Sequence, residues 1–223
     1  MAEMADDVGE AAGRARRWFL DPEIVTAAFL AAATLLTAWT AYQSTRWSGE
    51  MAEAYSLASA NRSESVRVSN EASQLVAIDV ASFIAWTEAI AAGEPDEADF
   101  LRERPRDEFK PAFEAWLSSP AEPGHRAPPG TPFNGFGYTL TAQQESERLA
   151  TSADEQFEIA RSANQYGDNY VLTAVMFASV LFLTGISSRL DLARIQTFLL
   201  GLAGVLLAAG IVLVAVQPKS IGI

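Results

Sequence analysis

The chain has 223 residues, enough for one domain or two small ones, and 49% of them are hydrophobic. It contains no cysteine, which excludes disulfides, thiolate metal sites and cysteine nucleophiles and leaves the compartment undecided. A formal net charge of -12 argues against nucleic acid or anionic lipid as a partner for the bulk of the protein.

Three stretches carry no charge at all: residues 24–45 (22 residues), 169–188 (20) and 195–218 (24). A spanning helix needs about 20 mostly apolar residues, so each is a transmembrane candidate, and the class is integral membrane protein. Arg outnumbers Lys 14 to 2 and Ala is abundant, a composition that fits a GC-rich bacterial genome. Arg14, Arg16, Arg17, Arg189 and Arg194 flank one set of span ends; Arg46, Arg161 and Lys219 flank the other. The excess of Arg on the first set predicts a bacterial inner-membrane protein with a cytoplasmic N-terminus and residues 46–168 outside the cytoplasm.

In chain order, residues 1–20 read as a cytoplasmic tail. Asp21, Pro22 and Glu23 then suit an N-cap, a first helical position and a first turn, and they open transmembrane helix 1 over 21–45. No Pro follows until Pro95, and Gly49 is the only Gly between Pro22 and Gly93, which predicts one helix of about 70 residues, about 100 Å long. Trp39, Tyr42 and Trp47 form the expected interfacial belt, with Arg46 and Glu50 marking the exit into water. The acidic-and-basic tail and the helix-compatible sequence beyond the span argue against cleavage there. Residues 46–92 therefore continue the same helix as a stalk. Leu75, Val76, Ile78, Val80, Phe83, Ile84, Trp86 and Ile90 supply the core of a distal head, interrupted by Asp79 and Glu88.

Residues 93–140 form the head insertion, with short helices over 96–104 and 109–117 and a Pro/Gly loop over 118–137. Phe133, Phe136 and Tyr138 are expected to fold that loop onto the head. The return stalk helix occupies 141–167, transmembrane helix 2 occupies 168–188, a cytoplasmic loop 189–194, transmembrane helix 3 occupies 195–217 and an extracytoplasmic tail 218–223. The fold class is thus all-α, with the first two spans extended into a long antiparallel helical hairpin stalk. Pairing the two helices from Arg46 and Asp168 outward sets Glu53 near Arg161, Arg67 near Glu147, and Arg62 close to Asp154 and Glu155.

Projected at 100° per residue, Thr26, Thr34, Thr37, Thr40 and Ser44 share an arc of about 120° on the first span. Of these, Thr34, Thr37, Thr40 and Ser44 are candidates either for close helix packing or for the lining of a pore. Thr197, Gly201, Gly204, Ala208 and Ala215 make a small-residue stripe on the third span, with Gly201, Gly204 and Ala208 as packing candidates; Thr173, Thr184 and Ser187 do so more weakly on the second. Three helices bury few such faces alone, which predicts a homo-oligomer. No charge lies within a span, which argues against an intramembrane proton relay or voltage sensor.

The only histidine is His125, so a multi-histidine metal centre is excluded, and Glu94, Asp96, Glu97 and Asp99 lack the spacing of a calcium loop. No phosphate loop, dinucleotide fingerprint or nucleophile elbow is present. The expectation is a non-enzymatic protein with no cofactor. Its acidic excursion, 21 Asp+Glu against 10 Lys+Arg between Gln43 and Asp168, would meet water and an envelope protein partner. The alternative is a homo-oligomeric cation channel, with the hydroxyl stripe below an acidic vestibule.

At AYQSTRWSGEMAEAY, ASANRSES, FKPAFEAWL and NQYGDNYVL the chain resembles a domain-of-unknown-function family of small bacterial inner-membrane proteins. The resemblance covers nearly all of the chain after residue 20. It implies one span, a helical excursion and two closing spans, and brings no established activity or site residues.

Overall fold

The computed structural model describes residues 22–121, 124, 127–190 and 192–220. The expected tail 1–20, the Asp21 cap, His125 and residues 221–223 lie outside the described residues.

The described chain is all-helical, with five helices: α1 (Pro22–Ala92), α2 (Pro95–Glu103), α3 (Lys110–Leu117), α4 (Thr141–Ser187) and α5 (Ala193–Val216). Among the described residues, α1, α4 and α5 are long and apolar enough to cross a membrane. The short helices fall within a residue of where the sequence puts them, and α5 begins two residues earlier. α1 runs for 71 residues through Gly49 without a break. Its end has a specific cause. Gly93 takes a left-handed φ of 76°, its N–H donates to the Ile90 carbonyl, and the Glu94 N–H donates to the Ala89 carbonyl. Both last-turn carbonyls are thereby satisfied, a side chain at 93 would be strained, and Pro95 opens the next helix.

The chain divides into two compact units, one from the residues up to Ala54 with those from Glu158 onward, the other Tyr55–Phe157. In the first, the buried positions of α4 recur at steps of three or four residues: Ala160, Ala163, Gly167, Tyr170, Thr173, Phe177, Val180, Thr184 and Ser187. That spacing keeps one narrow face turned inward. Ala33 of α1, Phe177 and Val180 of α4, and Ala203, Leu207 and Val214 of α5 form its apolar core, with Phe29 and Leu36 packed against it. Gly210 is buried because Phe177 lies where its side chain would be: a Cβ there would stand 2.5 Å from the ring.

In the second unit, Trp86, Ala89, Ala98, Phe109, Phe113 and Trp116 form the core. Phe133, Phe136 and Tyr138 pack onto it, as expected of the loop that carries them. The rings meet edge-on and offset. Phe83 lies 5.2 Å from Trp116 at 81°, and Phe109 stacks on Phe133 at 5.1 Å and 4°. The Trp116 indole N–H donates to the Pro129 carbonyl at 3.1 Å and ties down the Pro/Gly loop. Partner numbers between α1 and α4 fall as α1 numbers rise: Tyr55 meets Phe157, Asn61 donates to Ser152, Ser65 donates to the Ser146 carbonyl.

Candidate functional site

Two polar clusters stand out, one in each unit. The first grows from Asp79, which the sequence places as the one carboxylate of an otherwise apolar turn of α1. Its side chain is 0% exposed. A carboxylate taken out of water needs a cation and hydrogen bonds to remain there. Arg106, between α2 and α3, supplies both: Nε donates to Oδ1 at 3.0 Å and Nη2 to Oδ2 at 3.2 Å. The Tyr138 hydroxyl donates to Oδ2 at 2.7 Å. Arg106 also donates to Glu108 at 3.2 Å, and Glu108 accepts the Thr141 amide at 3.0 Å where α4 begins.

The electrostatics follow from these bonds. Burial, then the Asp79 carboxylate, holds the Tyr138 phenol far above its ordinary range, so it stays a donor. Hydrogen bonding from Thr141, aided by Arg106, pulls the Glu108 carboxyl below the usual carboxylate range. The Asp79 hydrogen bond raises Arg106 further. The chain of contacts joins α1 to the α2–α3 connection and to the loop at Tyr138, and joins that connection to the first turn of α4. The arrangement is suited to holding these segments in one geometry.

The second cluster lies in the first unit, where α1 carries Gln43, which is 0% exposed. The Ser220 N–H donates to Gln43 Oε1 at 3.0 Å, and Gln43 Nε2 donates to the Ser220 carbonyl at 3.4 Å. The Tyr170 hydroxyl donates to the Pro218 carbonyl at 3.1 Å, and Gln217 Nε2 donates to Thr173 Oγ1 at 3.3 Å. The Ser220 hydroxyl donates to Glu50.

The residues singled out in the sequence are distributed differently. The threonine arc of the first span is split. Thr40 is 0% exposed and Thr37 half-buried, whereas Thr34 is exposed and Ser44 half-buried. The three threonine hydroxyls are used locally: Thr34 donates to the Leu30 carbonyl, Thr37 to Ala33 and Thr40 to Leu36. On α5, Gly204 meets Phe29, with 3.3 Å between a Cβ placed there and the ring. Gly201 and Ala208 are exposed. The inward stripe is Ala203, Leu207, Gly210 and Val214, one position round from the expected one. α5 is apolar on every side, so composition alone does not choose the face that packs. Thr173, Thr184 and Ser187 of the second span are each 0% exposed.

The charge pairs also differ in part. Arg62 does reach Asp154. Arg161 turns to Glu158 on its own helix at 3.1 Å rather than to Glu53, and Arg67 turns to Glu64 and Glu71 rather than to Glu147. An i,i+3 partner on the same helix needs less reach and orders fewer torsions than a partner across a groove. The Asp79 partners were not singled out by spacing, although a carboxylate in an apolar turn of α1 signals that a distant cation must be recruited.

No family profile, curated protein or solved structure matches this chain.

Proposed function

We propose that the chain is a non-enzymatic, homo-oligomeric bacterial envelope protein, a scaffold or sensor anchored in the inner membrane by three spans. The N-terminus faces the cytoplasm. Residues 46–168 stand outside it as an antiparallel helical hairpin with a small head, and the head docks a protein partner. The observation that carries this reading is where the acid goes in Tyr55–Phe157. That stretch has 17 Asp+Glu against 8 Lys+Arg, and among the described ones Asp79 alone is buried. The other described carboxylates are not buried, and those outside the internal ion pairs are left for water and for a basic partner surface. The descending contacts of α1 with α4 support the hairpin, and the back-bonded, divided threonine arc favours a scaffold over a hydroxyl-lined pore.

The test has two arms. Native mass spectrometry of the detergent-solubilised chain, with planar-bilayer recording, should give one discrete oligomer and no cation current. A membrane-impermeant maleimide should label Ala121→Cys from outside intact cells. A cation-selective current altered by Thr37→Val would replace this reading with the channel. Labelling of Ala121→Cys only after lysis would reverse the orientation.

A further inference from the structure

Pro218 ends any continuation of α5, because it lacks an amide donor and its ring obstructs the preceding turn. The chain turns extended at Gln217, with φ -66° and ψ 142°. From there to Ser220 the backbone makes no regular structure, and its polar groups must find partners elsewhere. They find them on two other helices. Gln43 of α1 closes a two-bond amide pair on the Ser220 backbone, and Glu50 of α1 accepts the Ser220 hydroxyl. Tyr170 and Thr173 of α4 hold Pro218 and Gln217. Ser220 is 4% exposed, although neighbouring Lys219 is exposed.

The closed arrangement is not fully satisfied. On α1, between the Gln43 and Glu50 anchors, Arg46 Nε and Trp47 Nε1 are buried without an acceptor, and Gln217 Oε1 is buried without a donor. Unpaired buried donors and acceptors oppose the state that contains them. The five bonds that tie the segment to α1 and α4 all run through side chains, so they can break together without disturbing a helix ladder.

We propose that residues 217–220 are a releasable latch. Closed, the latch clamps the end of α5 onto α1 and α4. Open, it frees α5 at this end and gives Arg46, Trp47 and Gln217 access to new partners, making it a two-position element of the three-helix unit. The latch does not depend on which side of a membrane it faces.

Cysteine reactivity in detergent tests it, because the natural chain has no cysteine. Ser220→Cys, which keeps the backbone pair with Gln43, should react with maleimide about tenfold more slowly than Lys219→Cys. Adding Gln43→Leu should raise the Ser220→Cys rate at least about fivefold, and Tyr170→Phe should raise it by less. Leu207→Cys, placed in the core of the same unit, should stay protected in the Gln43→Leu background. Equal rates at 219 and 220, or no acceleration by Gln43→Leu, would overturn the latch. A parallel rise at Leu207→Cys would show general loosening of the unit and would overturn it too.

Discussion

Replacing Arg106 by Ala tests whether the buried charge of Asp79 organises the Tyr55–Phe157 unit. Asp79 is 0% exposed, and Arg106 donates two of its three hydrogen bonds from protein donors. Removing one partner of a buried pair costs about 3–5 kcal/mol, because the remaining charge stays desolvated. The Arg106 side chain is itself 27% exposed, so water can enter the space it vacates. The lower end applies, about 3 kcal/mol, or roughly a 150-fold rise in the local opening constant.

Hydrogen exchange on the full-length protein in detergent reads this at the amides of α3 and of the last turns of α1. Asp79→Asn added to Arg106→Ala should recover part of the loss, since a neutral amide is cheaper to bury than a carboxylate. Arg62→Ala is the internal comparison. Its pair with Asp154 is 54% and 70% exposed, and an exposed pair contributes at most about 1 kcal/mol. If Arg106→Ala and Arg62→Ala accelerated exchange to the same small extent, the buried-charge argument would fail.

Two further outcomes follow from other parts of the molecule. Gly210→Ala would drive a Cβ to 2.5 Å from the fully buried Phe177 ring and should destabilise the three-helix unit by about 1–3 kcal/mol in thermal unfolding. Gly201→Ala meets nothing within 4 Å and should be neutral or stabilising by up to about 1 kcal/mol; equal losses at both would place the packed face of α5 wrongly. Glu108, whose carboxyl is held below its ordinary value of 4.5 chiefly by Thr141, contributes stability that is fully present above pH 4.5. That contribution is lost as pH falls from 4.5 through the lowered folded value. Exchange at the first turn of α4 should therefore accelerate over that acid range, and Glu108→Gln should flatten the dependence; an unchanged acid profile in the variant would refute the assignment.

Long-range order along the chain was legible wherever it depends on local chemistry. The unbroken α1 follows from the absence of Pro between Pro22 and Pro95, and its end follows from Gly93 beside Pro95. The three long apolar helices follow from charge-free stretches of spanning length. Phe133, Phe136 and Tyr138 announced a packed loop, because three rings in a Pro/Gly segment have to be covered. Each of these is a property of neighbouring residues.

What needed the tertiary structure is the choice among equivalent faces and distant partners. Thr34 and Thr40 lie on one arc of α1, yet one is exposed and the other enclosed, because the position of α4 and α5 divides that arc. Gly201 and Gly210 are equally small; only the Phe177 ring makes one of them indispensable. Asp79 declares a need for a cation but cannot name it. Arg106 stands 27 positions away among several other Arg residues, and folding brings it to the carboxylate. Gln43 and Ser220, 177 positions apart, carry no periodic signal and meet only once three helices have packed. Local propensity and hydropathy act over a turn or two of helix, whereas a buried polar group takes whichever partner the packed core delivers.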